Sequence, residues 1–183
     1  MGCFMNGLWI KRAIASVVVL GFSSWVNAGV YLGLSPYVSQ IQIEGEKFSP
    51  IGAELKLGYE FKVRHSLEIG YVSGMKEDEL NRLSVEVPSV ATATYRYNLY
   101  PAKKLKSYFV LGASQIELKA IYDEASDATP DLEESYSGFV YGFAFEEALD
   151  SVPSLKVMGQ WVNLYDGEAL NIHGLSLGMR YDF

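Results

Sequence analysis

Beyond residue 28 the chain alternates apolar and polar positions with a period of two, the pattern of strands whose faces meet different surroundings. The alternation predicts eight strands near 29–39, 49–61, 66–74, 85–99, 106–118, 135–146, 155–164 and 169–183. Each runs for about 9–15 residues, against about 5–6 for an average globular strand. A tilted strand that crosses a bilayer needs about 9–11. No later segment holds 18 consecutive apolar residues, so a helical span is excluded.

Large apolar residues share one face and small or charged residues the other. In the last strand Leu175, Leu177, Met179, Tyr181 and Phe183 oppose Gly174, Ser176, Gly178, Arg180 and Asp182. In the second, Ala53, Leu55, Leu57, Tyr59 and Phe61 oppose Gly52, Glu54, Lys56, Gly58 and Glu60. The third sets Leu67, Ile69 and Tyr71 against Ser66, Glu68 and Gly70; the fourth sets Ala93, Tyr95, Tyr97 and Leu99 against Thr92, Thr94, Arg96 and Asn98. The first, fifth and sixth agree, and the seventh is weaker, with Leu155, Val157, Gly159 and Trp161 against Lys156, Met158, Gln160 and Val162.

A soluble barrel or sandwich would turn the large apolar face inward. An outer-membrane barrel turns it outward, to lipid. Three features favour the second arrangement. The polar face is rich in Gly, Ser, Thr and Ala, which suit a narrow lumen. Its charges balance, with Glu54, Glu60, Glu68 and Asp182 against Lys56, Arg96, Lys156 and Arg180, as buried charges require. Aromatic residues also gather toward one end of several strands (Tyr59, Phe61, Tyr97, Tyr100, Phe143, Phe145, Tyr181, Phe183), where a girdle would meet the periplasmic interface. A lipocalin-like soluble barrel is the competing expectation. The connections also differ in length. Short to moderate turns are expected near 62–65, 100–105 and 147–154, and longer polar loops near 40–48, 75–84 and 119–134.

The first 28 residues have another character. Lys11-Arg12 precedes an apolar run from Ala13 to Phe22, and Val26-Asn27-Ala28 forms an A-x-A-like exit, the layout of a secretory signal peptide. The expected division is therefore an export signal at 1–28 and one barrel domain at 29–183. Beyond residue 28 there are 13 basic residues against 22 acids, a charge of −9 that repels phosphate backbones, so nucleic acid is not an expected partner. Cys3 is the single cysteine, which excludes a disulfide framework and any multi-Cys metal site.

The export signal, the eight alternating strands and the terminal Gly178-Met179-Arg180-Tyr181-Asp182-Phe183 together resemble the small OmpA/OmpX-like barrels of bacterial outer membranes, including Ail/Lom-type and opacity-porin-like members. The resemblance spans 29–183. It implies an eight-stranded antiparallel up-and-down barrel in the outer membrane of a Gram-negative cell. It also implies that Met179, Tyr181 and Phe183 form the signal read by the barrel-assembly machinery. No peptidoglycan-binding domain is expected after the barrel.

An eight-stranded barrel is just wide enough for its own side chains, so a diffusion channel is not expected. The expected role is non-enzymatic, structural or surface-interacting, in a monomer surrounded by outer-membrane lipid and lipopolysaccharide, with loops that meet a host or envelope protein. An adhesion or serum-resistance factor and a lipid A-modifying enzyme are the alternatives. For catalysis, His65 is expected in a solvated turn, and His173 and Ser176, three apart on a strand, fall on opposite faces. No catalytic, cofactor or metal residues are assigned. Asp123, Glu124, Asp127, Asp131, Glu133 and Glu134 in one loop, and Glu77, Asp78 and Glu79 in another, lack ordered cation-loop spacing.

Overall fold

The computed structural model describes residues 29–43, 46–80, 83–101, 104–122, 132–165 and 171–183; the expected export signal at 1–28 lies outside the described residues. Ten strands follow in order: β1 (Gly29–Ile43), β2 (Glu46–Phe48), β3 (Ile51–Lys62), β4 (His65–Lys76), β5 (Asp78–Leu80), β6 (Leu83–Pro101), β7 (Leu105–Tyr122), β8 (Leu132–Leu149), β9 (Val152–Tyr165) and β10 (Asn171–Asp182). Eight of them, β1, β3, β4 and β6 to β10, pair antiparallel with their chain neighbours, and β10 pairs with β1 to close a barrel. Closure removes the unpaired sheet edges. The short β2 and β5 fold back on β1 and β6 at the barrel's loop end.

The eight-stranded expectation holds, but β1, β4 and β6 to β9 are longer than the alternation indicated. The expected loops near 40–48 and 75–84 contain the hairpins made by β2 and β5, and Lys119–Tyr122 and Leu132–Glu134 belong to β7 and β8. The cause is a change of polarity. Along β1 the outward residues Val30, Leu32, Leu34 and Val38 give way to Gln40 and Gln42, while the inward ones pass from Tyr31, Gly33 and Ser35 to Ile41. The pleat continues while the two faces exchange character.

The register fixes the barrel's dimensions. Pairing carries Gln40 to His173, Asn163, Tyr141, Leu111, Tyr95, Leu67, Tyr59 and back onto β1 at Val30, ten residues from the start. Eight strands with this stagger, at about 3.3 Å rise and about 4.8 Å spacing, tilt by roughly 41° around a backbone cylinder of about 8 Å radius. Val30 and Gln40 then stand about 25 Å apart along the axis. Between those heights the outward face is mostly apolar, with Leu55, Leu57, Leu67, Ile69, Tyr71, Phe139, Phe143, Leu175 and Leu177 among its exposed residues. At its upper edge and above, the outward positions include Gln40, Ser73, Ser89, Gln115, Glu117 and Ser137.

Such a radius leaves little room inside. The Tyr31 ring lies along the inner wall over Gly58, its pairing partner on the neighbouring strand β3, where an added Cβ would fall 1.9 Å from the tyrosine Cζ. Tyr37 reaches Gly174 in the same way, 2.1 Å from its hydroxyl oxygen. These glycines are required by close approach of a ring. Gly58→Ala should displace Tyr31 and cost about 1–3 kcal/mol of overpacking, read as a lower urea midpoint for the barrel folded in detergent micelles. An unchanged midpoint would show that Tyr31 has another place to go.

Candidate functional site: a charged lumen under an apolar cap

The lower half of the lumen, toward the short turns, is a continuous chain of ion pairs. Glu146 stands at its centre, almost fully buried, and accepts from Arg96 Nη2 at 2.7 Å and from Arg180 Nη1 at 2.8 Å. Arg96 continues through Nη1 to Glu68 Oε2 at 3.0 Å, and Glu68 lies 4.0 Å from Lys56 Nζ. Lys56 pairs with Glu54 at 3.1 Å and donates to Gln160 Oε1 at 2.9 Å. In the other direction Arg180 donates from Nη2 to Glu60 at 2.9 Å and from Nε to Asp182 at 2.6 Å. Lys106 closes on Glu60 at 3.4 Å, and Lys156 on Asp182 at 2.5 Å.

Two tyrosines brace the guanidinium groups. Arg180 lies 3.4 Å over the ring of Tyr31, whose hydroxyl donates to Glu68 at 2.8 Å and accepts from Arg96 at 3.1 Å. Arg96 lies 4.1 Å over the ring of Tyr108, whose hydroxyl donates to Glu146 at 3.0 Å. Each guanidinium thus gains a π face and carboxylate acceptors, contacts that partly replace its hydration.

The structure places all eight sequence-derived lumen charges, Glu54, Lys56, Glu60, Glu68, Arg96, Lys156, Arg180 and Asp182, in this one network. It adds two that sequence reasoning missed, Glu146 and Lys106. Five acids then face five bases. Both additions sit at the end of a strand read in the sequence. The inward parity of Gly138, Gly142 and Ala144 continues to Glu146, so extending the alternation by one step would have found it.

The upper half is unlike the expected polar lumen. Tyr37, Val72, Val90, Ile116, Val140, Val162, Leu164 and Ile172 pack together inside, joined above by Ile41, Phe48, Val85, Val87 and Leu118. All are nearly inaccessible. Only at the top, around Ile41, Ile116 and Leu118, does the barrel resemble a soluble protein, apolar within and polar without; Val140 and Val162 lie behind the outward apolar Phe139 and Trp161. A cavity of about 10 Å³ beside Tyr37, Ser39, Gly52 and Val72 has room for roughly one water.

The two histidines lie on the outer wall. His65 departs from its expected place in a solvated turn. It is the first residue of β4, half-buried among Phe61, Tyr95 and Tyr97, with Nδ1 2.5 Å from the Tyr95 hydroxyl. The aromatic outward face of β3 and β6 draws the imidazole onto the sheet. His173 stacks on Trp161, 6.0 Å between centroids, while Ser176 is buried inside the barrel. Tyr181 and Phe183 meet edge to face at 5.2 Å on the outward face near the turn end, and Met179 shares that face. Of the loop acids, Asp78 accepts from the Ser49 amide at 2.6 Å and Glu77 from Ser84 Oγ at 2.6 Å. Asp123, Glu124, Asp127 and Asp131 lie outside the described residues. Among the described residues no three His, Cys, Asp or Glu side chains are grouped to hold a metal ion.

No family model and no curated protein matches the sequence. Solved structures do match. Ail, the attachment invasion locus protein of Yersinia pestis, in complex with the heparin analogue sucrose octasulfate, aligns with a TM-score of 0.63 at 17% identity over 86% of this chain and 100% of that one. Neisserial surface protein A aligns at 0.65 and 13% identity over 86% and 100%. The outer membrane protein OprG from Pseudomonas aeruginosa aligns at 0.58 and 13% identity over 85% and 95%. The fold is that of small eight-stranded outer-membrane barrels, as the sequence pattern led one to expect.

The network's centre should be its weakest point. Glu146→Gln leaves two buried guanidinium groups short of an anion and should cost about 3–5 kcal/mol, whereas Glu54→Gln, at the end of the chain, should cost well under half of that. Urea unfolding of both variants in the same detergent checks the order. Equal losses would mean that the charges act as independent pairs.

Proposed function

We propose that this chain is a non-enzymatic, monomeric outer-membrane barrel with a structural or surface-interacting role, exported by residues 1–28 and released near Gly29. The observation that carries the reading is the 25 Å-class apolar band on the outside of a lumen that its own side chains fill. In a bilayer that band replaces exposed hydrophobic surface with acyl-chain contact, and the short turns face the periplasm. Outer-membrane lipid and lipopolysaccharide are then the surroundings of the wall. Met179, Tyr181 and Phe183, on the outward face of the last strand, are available to the barrel-assembly machinery. The described long connections lie at the opposite end, toward the exterior.

A surface-interaction role draws support from the neighbours, since Ail carries a bound heparin analogue in one structure. This chain differs in charge. It carries Glu77, Asp78, Glu79, Glu133 and Glu134 at the loop end and an acidic total, so a polysulfated ligand is not transferred to it. A cationic or neutral host or envelope protein fits the loops better. A lipid A-modifying activity finds no support from the histidines, because His173 and Ser176 stand on opposite sides of the β10 wall.

Folded into planar bilayers, the protein should give no stable conductance steps, because both the ion-pair network and the apolar cap block the lumen. In parallel, the unheated sample should migrate differently from the boiled one in detergent gels. Large single-channel steps from heat-modifiable protein would overturn the sealed reading, and a chain that folds in plain buffer would overturn the membrane reading.

A further inference from the structure

One turn at the lower rim of the barrel carries two cations without an acid. β3 and β4 meet through Lys62, Val63 and Arg64, all exposed. Lys104, at the same rim, is paired with Asp150 at 2.8 Å, and the lumen cations have their carboxylates. Among the described residues Lys62 and Arg64 have no such partner. Glu60 and Glu68, the acids of β3 and β4 at this end, point into the lumen and serve the network there. The pair stands out in a chain whose charge beyond residue 28 is −9.

The fold aims both cations at the outer wall. Pairing steps from Glu60 opposite Ser66 to Lys62 opposite His65, so Phe61 is an extra residue, a bulge. Partners across a ladder share a face. The bulge therefore takes Lys62 off the lumen parity of Glu60 and sets it beside His65 outside. His65 stacks on Phe61 at 5.8 Å between centroids and meets Tyr97 edge-on at 5.5 Å. Arg64 lies along the same wall, with Nη1 donating to the Tyr97 hydroxyl at 3.4 Å. The turn is held from β6. The Asn98 backbone amide donates to the Arg64 carbonyl at 2.8 Å, and the buried Asn98 side chain donates to the Val63 carbonyl at 3.5 Å. From the barrel's tilt, His65 stands about 1 Å above Val30 and Lys62 about 2 Å below it, at the lower edge of the apolar band.

Resting on the membrane reading above, we propose that Lys62 and Arg64 hold the phosphodiester of an anionic phospholipid, of the phosphatidylglycerol kind, in the leaflet at the turn end. A lipid whose acyl chains lie along the apolar band carries its phosphate just beyond the band's edge. An ammonium and a guanidinium on long apolar stems reach that level. Charge selects the lipid class. An anionic headgroup meets two cations and no acid, whereas a zwitterionic one brings its own ammonium to the same place and is repelled there. The Tyr97 hydroxyl accepts from Arg64, and its own proton remains to donate to a phosphate oxygen. Because the turn is pinned at two points and Arg64 already rests on Tyr97, little freedom is lost on binding.

The test is native mass spectrometry of the full chain, folded in detergent micelles with equal amounts of phosphatidylglycerol and phosphatidylethanolamine. Phosphatidylglycerol should be retained in preference. Lys62→Gln and Arg64→Gln should each weaken its retention about fivefold. Lys104→Gln, which removes a paired cation at the same rim, should leave it unchanged. All three variants should keep the heat-dependent gel shift, since none of these side chains is buried. Four results would each overturn the lipid site and leave the barrel reading intact: equal retention of the two lipids, a preference that survives the double substitution, an equal loss with Lys104→Gln, or displacement of the lipid by inorganic phosphate. A chain that folds in plain buffer would overturn both.

Discussion

The structure depends on a limit of space. Eight strands with a ten-residue stagger enclose a cylinder of about 8 Å backbone radius, and whatever points inward must be paired within it. That limit explains why the lower lumen holds equal numbers of acids and bases in one network, not scattered charges. An isolated ion at this radius would have neither bulk water nor a partner. Glu146 between Arg96 and Arg180 is the point where the two arms of the network join, and Tyr31 and Tyr108 cover the guanidinium faces that no carboxylate reaches.

Space also accounts for the glycines. With a large side chain such as Tyr31 laid over the neighbouring strand, that strand must be bare beneath the ring, and Gly58 is bare. On the outer wall the same exchange appears at Gly159, which lies beneath the ring of Phe145 on the neighbouring strand. Glycine in these strands serves contact between rings and backbone, which offsets the entropy it costs in an extended segment.

Much of this was legible in the sequence, because a period of two is visible without knowing which side is solvent. Eight strands, their faces and eight of the ten network charges followed from parity alone. What did not follow has one cause. The alternation was read as a single polarity, large apolar residues on one face throughout, but β1, β7 and β8 exchange polarity at the level of Gln40, Gln115 and Ser137. Past that level β1 looked like a loop over 40–48, and the apolar cap of Ile41, Phe48, Val85 and Ile116 went unread. The place of His65 was lost differently. Its neighbours in space, Tyr95 and Tyr97, lie some thirty residues away in sequence, and only the register between β4 and β6 brings them together.

The exchange of polarity tells where the surroundings change. A strand that is apolar outside and charged inside is stable only where acyl chains touch it. A strand that is polar outside and apolar inside is stable only where water does. β7 carries both arrangements in one uninterrupted run, with Phe109, Leu111 and Ala113 outward below and Gln115 and Glu117 outward above. The boundary between them is therefore written into the covalent chain, and the barrel has one depth at which both halves are satisfied. Sliding it down by two residues along the strands, about 5 Å along the axis, would draw Gln40, Ser89 and Gln115 into hydrocarbon. Sliding it up would expose Val38 and Phe139 to water. On the membrane reading proposed above, depth is set by the residues of the wall.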